Sequence, residues 1–300
     1  MGCNAHVVIV GGAAELEGLA QRRLQALEAK WSRFIADSEV SRLNRAGGAP
    51  CRVSVDTFEL IERAAAAWAA TGGAFDPTVL PAMLAAGYDR DYRELVDDGE
   101  AGAPVASPGC AGVRLERRSR LIMLPSHVAI DPGGIGKGLA ADVVVADLLA
   151  AGAEGACVNV GGDVRVDGRG PEPGDTWIVA VEDPRDDTQE LDRYHLSAGA
   201  VASSSTLVRT WTRGGVPMHH VIDPTTGAPA RTAAISSTVV AGEAWWAEAL
   251  TKAALLNGAD APRLLDHLGT PGLVVLADGQ VLESSGLGAL RPAISVGVSA

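Results

Sequence analysis

Apolar and polar positions alternate along this chain with two different periods. His6–Val10 is a short apolar run closed by Gly11-Gly12, which predicts a first strand. Leu16, Leu19, Leu24, Leu27 and Trp31 then recur at helical spacing, with Glu15, Arg22, Arg23 and Lys30 on the other side. A second helix carries Leu60, Ile61, Ala64, Ala65 and Trp68 as its buried stripe and ends at Gly72-Gly73. Asp56 and Glu59 stand at capping-box spacing at its head. Residues 88–109 are charged and then rich in Pro, Gly and Ala, which predicts an exposed connection. Val113–Glu116 and Leu121–Leu124 predict a hairpin, Cys157–Val160 and Trp177–Val181 two further strands, and Leu196–Ser205 a strand of small residues. Ile235–Val240 predicts a strand, Trp245–Asn257 and Asp260–Leu268 helices. Leu273–Ala277 and Gln280–Ser284 predict a last hairpin about Asp278-Gly279. The final dozen residues show little periodicity. Helices interspersed with hairpins predict an α+β fold of mixed layers rather than a purely parallel sheet.

Composition narrows the classes. At 300 residues, 47% hydrophobic and 21% charged, the chain has ample material for a core, and scarce aromatics leave that core to small aliphatic side chains. A net charge of −12 argues against general nucleic-acid binding, which needs a basic face. No apolar segment reaches the 18 residues of a membrane span, and no signal peptide or lipidation pattern is expected at the N-terminus. Cys3, Cys51, Cys110 and Cys157 lack zinc-ligand or redox spacing, so the expectation is unpaired thiols in a reducing cytoplasm.

The stretch with the most chemistry is Asp131–Asp142, Asp-Pro-Gly-Gly-Ile-Gly-Lys-Gly-Leu-Ala-Ala-Asp. The apolar run Val128–Ile130 leads into it and a helical pattern, Leu139–Ala151, leads out. Glycines let a backbone approach a ligand closely, and a helix N-terminus favours an anion. The P-loop fails here because Gly138 follows Lys137 where Ser or Thr is required, and the glycine spacing does not match the dinucleotide fingerprint. What remains is a strand–turn–helix suited to a phosphate, or a glycine-rich helix entry with a solvated lysine.

Other segments carry weaker signals. Asp37-Ser38-Glu39-Val40-Ser41-Arg42-Leu43-Asn44 is too polar for a core element and reads as a loop with a short helical turn, or as a ligand contact. Pro77 forces Asp76 out of the helical region, which places its carboxylate at a helix entry. Ser203-Ser204-Ser205 reads as a surface that ligands approach or a turn. Adjacent His219 and His220 point to opposite faces of a strand and do not easily share a metal. Glu248 and Lys252 share one face of a helix, as a surface ion pair would.

Taken in order, these segments resemble the FAD:protein FMN transferases, the ApbE-type flavin transferases. The resemblance rests on Met1-Gly2, Asp37–Asn44, Gly72–Thr78, Asp131–Asp142, Val158–Asp163, Gly199–Ser204, His220–Gly227 and Ala247–Leu250, and covers about residues 1–285. It implies residues 1–300 as one flavin transferase domain of two sub-lobes, T-fold-like, with FAD in a cleft between them. It also implies cleavage of the FAD pyrophosphate, transfer of FMN to a threonine of an acceptor flavoprotein, and release of AMP, usually with Mg2+. An FAD pyrophosphatase and a non-catalytic FAD-binding protein are the alternatives.

Carried over by position, Met1, Phe34, Ala74, Phe75, Asp76, Asp131, Lys137 and Ile222 would contact FAD, with Phe34 stacking on the isoalloxazine. Lys137 and Asp223 would serve the chemistry, Asp223 standing near the acceptor or supporting its turn. Gly134 would offer a main-chain oxygen to the metal. The sharpest departure lies at the metal's other ligands. The family pattern there is Asp with Thr four residues on, whereas this chain has Glu248 and Lys252. A protonated lysine cannot ligate. Lys252 either neutralises the pyrophosphate itself or marks a protein that binds FAD without efficient transfer.

Overall fold

In the computed structural model, which describes residues 3–97 and 99–291, the chain is built on one seven-stranded antiparallel sheet. Among the described residues, seven α-helices and fourteen strands follow the chain. They run β1 (Ala5–Val10), α1 (Glu15–Trp31), α2 (Glu39–Arg45), β2 (Cys51–Arg52), α3 (Val55–Ala70), α4 (Leu80–Ala85), β3 (Arg114–Glu116) and β4 (Leu121–Met123). Next come α5 (Gly136–Ala150), β5 (Gly155–Val160), β6 (Asp163–Gly168), β7 (Trp177–Asp183), β8 (Asp186–Leu196) and β9 (Gly199–Ser205). The last are β10 (Thr210–Arg213), β11 (Val216–His219), β12 (Ala234–Ala241), α6 (Ala244–Asn257), α7 (Ala261–His267), β13 (Gly272–Leu276) and β14 (Val281–Glu283).

The main sheet has the order β1-β5-β6-β9-β12-β13-β14. Its inward positions alternate between two cores, as the pleat requires. Ala200, Ala202, Val239 and Val274 face the helical layer with Leu139, Val144, Leu148 and Leu250. Val201, Val240, Leu273 and Val275 face the opposite way, under Trp177, Val179, Val181 and Tyr194 of the β7–β8 hairpin. Burial on both faces explains why Leu273–Leu276 reads as an unbroken apolar run. Small side chains on the helical face let α5 and α6 lie close to the strands. A third cluster, Ala82, Met83, Ala86, Tyr88 and Ile222, stands apart, with Trp211 of the β10–β11 hairpin packed on it.

The mixed α+β architecture agrees with the pattern in the sequence, and several local expectations change. The polar segment Asp37–Asn44 is mostly helix α2. Ser38 caps it by accepting from Ser41 N at 3.0 Å, and Val40 and Leu43 are buried beneath the polar face. The cap of α3 is Ser54, not Asp56. Glu39 of α2 accepts from Ser54 N at 3.0 Å, so the reciprocal half of the box comes from another helix. Asp56 instead turns inward to Arg23 (2.6 Å) and Lys30 (2.5 Å).

Val128–Ile130 is not a strand and pairs with none among the described residues. The Asn44 amide takes the place of one, donating to Ile130 O at 2.9 Å and accepting from Ile130 N at 2.8 Å. Helix α5 begins at Gly136, ahead of the apolar pattern, so Lys137 and Gly138 lie in its first turn. Leu196–Ser205 is split by a turn between β8 and β9. The serines there are structural: Ser204 Oγ and Thr251 Oγ1 are 2.7 Å apart, and Ser205 Oγ donates to Ile235 O. Met1 and residues 292–300 lie outside the described residues.

Candidate active site

A cleft of about 1050 Å³, open solvent at its mouth included, lies between the helical core and the third cluster. The turn after Ile130 forms its floor. Asp131 N donates to Pro77 O at 2.8 Å, joining this turn to the Asp76-Pro77-Thr78 segment. The Asp131 carboxylate accepts from Gly133 N at 2.7 Å and pairs with Arg33 Nε at 3.1 Å, a pair almost wholly buried. Asp76 does not cap α4, which begins at Leu80. Its Oδ1 accepts from Thr78 N at 2.8 Å and Thr78 Oγ1 at 2.7 Å, closing a local turn. Burial nevertheless pushes its carboxyl above the usual carboxylate range.

One wall is aromatic. The Arg33 guanidinium lies 4.2 Å from the Phe34 ring centroid and 4.7 Å from that of Tyr88. Tyr88 in turn lies 5.2 Å from Trp211. Phe34 remains 40% exposed, so ring area is left for a flat ligand.

The rear wall is ionic. Lys137 Nζ bonds both Asp163 and Glu248 Oε1, the latter at 2.6 Å. Glu248 Oε2 accepts from Gly138 N at 2.8 Å, and Lys252 Nζ stands 3.5 Å from Glu248 Oε1. This is not the surface ion pair that the i, i+4 spacing suggests, because Glu248 is fully buried. Gly138 makes the arrangement possible. A Cβ on it would come within 2.3 Å of Ala244 O, so only glycine lets the two helix starts touch.

Burial works against the Lys137 charge, but Asp163 and Glu248 outweigh it and hold the ammonium above its usual range. Burial would likewise raise Glu248, yet Lys137 and Lys252 keep it below its ordinary value. For Lys252, burial and the charge on Lys137 win over Glu248 and lower it. Both lysines line the cavity, while the carboxylates lie behind them.

His220 joins the same wall. Its Nδ1 is buried with no hydrogen-bond partner among the described residues. Burial, and then the charges of Arg209, Lys252 and Lys137, push it down to about 3, so the ring is neutral at ordinary pH. His219 faces away and bonds Ala230 O at 3.1 Å.

Of the residues expected at the site, Phe34, Ala74, Phe75, Asp76, Asp131, Gly134, Lys137, Ile222 and Lys252 all line this cavity. Glu248 lies one layer back. Asp223 does not line it. Its Oδ1 accepts from Thr225 N at 2.9 Å and Thr225 Oγ1 at 2.7 Å, which fixes the turn after Ile222. Met1 is outside the described residues. Sequence reasoning missed Arg33, Tyr88, Arg209 and the counterion role of Asp163. The last stood in plain sight beside Gly161-Gly162.

The donor set does not fit a magnesium ion. Mg2+ takes an octahedron of oxygens at about 2.1 Å. An ion that close to Glu248 Oε1 would stand no farther than about 6 Å from the ammoniums at 2.6 and 3.5 Å from that oxygen, and they would repel it. Among the described residues, no three His, Cys, Asp or Glu side chains are placed to share a metal.

The family model described as the ApbE family matches residues 1–274 of this chain. A protein named FAD:protein FMN transferase from Vibrio cholerae is 29% identical over 254 residues, covering 83% of this chain and 75% of the relative. One of the same name from Treponema pallidum is 29% identical over 311 residues, covering 95% and 84%. The crystal structure of the ApbE protein from Thermotoga maritima superposes with a TM-score of 0.83 at 30% identity, covering 96% of both chains.

Proposed function

The chain belongs to the ApbE family, and from that premise and the cavity we infer that it is an FAD:protein FMN transferase. The observation that carries the reading is the cavity's division of labour. An aromatic wall with a partly exposed Phe34 ring suits the flat isoalloxazine, and a two-lysine wall at a helix start suits the pyrophosphate. Phe34, Ala74, Phe75, Asp76, Asp131 and Ile222 would hold the flavin half. Asp131 would act with Arg33, to which it is tied. The domain reading, one unit of two sub-lobes, is supported by the cavity's position between two apolar clusters.

In the reaction the acceptor threonine oxygen attacks the FMN phosphorus. The bond from that phosphorus to the bridging oxygen breaks, AMP leaves with that oxygen and its electron pair, and the hydroxyl proton passes to solvent. Such transfer is governed by positioning and charge neutralisation. Lys137 supplies a fixed positive charge, held in place by Asp163 and Glu248. Asp223 acts by holding the turn that presents Ile222 and Pro224 to the cavity. No step is assigned to Mg2+. A cytoplasmic location is supported by four free thiols. No helix among the described residues is long and apolar enough to cross a membrane.

The test is incubation with FAD and a flavoprotein domain bearing candidate threonines, reading flavin fluorescence on the denatured acceptor and AMP by chromatography. Flavin on the acceptor with stoichiometric AMP is expected. Free FMN with AMP would identify a pyrophosphatase, and bound FAD with no AMP a carrier; either refutes the transfer reading.

A further inference from the structure

The rear wall of the cavity turns two ammoniums toward the cavity, with two carboxylates behind them. Lys137 already has two buried carboxylates, Asp163 and Glu248. Lys252 adds a second ammonium that faces the cavity, with Glu248 at 3.5 Å as its carboxylate neighbour. The charged and titratable groups around it are Glu248, Lys137, Asp163 and the neutral His220. A Cβ on Gly134 would lie 3.5 Å from Lys252 Cε, so the side chain ends beside the glycine turn. Glu248 has both oxygens engaged, by Lys137, by Lys252 and by Gly138 N.

Resting on the flavin transferase reading, we propose that Lys252 replaces the divalent cation: its ammonium, with that of Lys137, neutralises the pyrophosphate, and the protein handles FAD without a metal. An ammonium is a compact point charge with three donors, able to bond phosphate oxygens. It is covalently tethered to α6 and braced from behind by Glu248, so it is in place before the substrate arrives. The carboxylates behind the two lysines offset their mutual repulsion without standing in the cavity themselves. The neutral His220 beside them adds no further positive charge to that repulsion. The engaged oxygens of Glu248 favour a built-in cation over a metal held by that carboxylate.

The test measures binding of FAD and of riboflavin by flavin fluorescence, and AMP release by chromatography, each with EDTA and with Mg2+. The proteins are wild type, Lys252→Met and Lys252→Arg. Wild type is expected to bind FAD and release AMP equally, within twofold, in both conditions. Lys252→Met is expected to bind FAD about ten- to a hundredfold more weakly, the effect of losing a charge-assisted hydrogen bond. Riboflavin has no pyrophosphate, and its affinity should not change. Lys252→Arg should hold FAD more tightly than Lys252→Met. Equal losses for riboflavin and FAD would make Lys252 merely structural and overturn the proposal. If Lys252→Met does not fold, the metal dependence of the wild type decides. A wild type that binds FAD but needs Mg2+ to hold it or to release AMP overturns the proposal and leaves the flavin reading standing. A wild type that binds no FAD in either condition overturns both.

Discussion

Gly138→Ala sets two known effects against each other at one atom. Alanine favours helix over glycine by up to about 1 kcal/mol, so an isolated α5 would gain. In the folded protein the added methyl would lie 2.3 Å from Ala244 O and 2.7 Å from Trp245 N, both backbone atoms. Relief needs the two helix starts to part by about 1 Å, since ordinary contact begins at 3.4 Å. They cannot part freely, because Asp142 accepts from Ala244 N at 2.8 Å and from Trp245 N at 2.9 Å. Overpacking of this kind costs about 1–3 kcal/mol. Separation also strains the Gly138 N–Glu248 bond, worth about 1.5–3 kcal/mol as a bond to a charge. The steric and electrostatic losses win, leaving a net destabilisation of about 1.5–5 kcal/mol. Urea unfolding followed by circular dichroism reads the stability, and a flavin titration reads the site, where FAD affinity should fall as Lys137 and Glu248 separate. A variant as stable as wild type, with unchanged FAD affinity, would refute the claim that glycine is required by the helix contact.

Three further outcomes are expected. Asn44→Ala removes both bonds to Ile130 and leaves that buried peptide's donor and acceptor unpaired, at about 2–4 kcal/mol; thermal unfolding should show it, with weaker FAD binding as Asp131 shifts. Asp56 is held at about 2 by Arg23 and Lys30 despite its burial. Its folded value lies below its unfolded one, so its stabilisation, on the order of 2 kcal/mol, is complete above pH 4 and is lost as pH falls through about 2. Asp56→Asn should flatten the stability–pH profile below pH 4, and an unchanged slope there would refute the ion cluster's role. His220 should keep the ring-proton NMR shift of a neutral imidazole down to about pH 4, and a midpoint between 6 and 7 would show that the ring is solvated.

Periodicity made the main strands and long helices legible because sheet and helix burial leaves direct traces: α1, α6 and the β13–β14 hairpin stand close to where the apolar pattern puts them. It failed where a contact distant in sequence replaces a local one. Ser54, not Asp56, caps α3 because Glu39 arrives from α2 to complete the cap, and no window around residue 56 contains Glu39. Asn44 stands in for a neighbouring strand in the same way. At the site, ordered motifs marked Asp131, Lys137 and the Asp76 turn. Residue 252 was conspicuous as a departure, but an i, i+4 pair reads as solvent-exposed until α6 is known to lie buried against α5. Arg33 was hidden because its role, over the Phe34 and Tyr88 rings, needs a ring 55 residues away in sequence.

The rear wall also sets a timetable for synthesis. Lys137 leaves the ribosome 26 residues before Asp163 and 111 residues before Glu248. At about 5–20 residues per second, the lysine waits roughly 1–5 s for its first counter-charge and roughly 6–22 s for its second. Until α6 emerges, Lys137 has Asp163 but lacks Glu248, and the glycine turn lacks the helix that covers it. Helix α6 therefore does two jobs on arrival: it closes the core, and it supplies both the second carboxylate and the second ammonium. Pausing translation ahead of Ala244 would hold the nascent chain in that state.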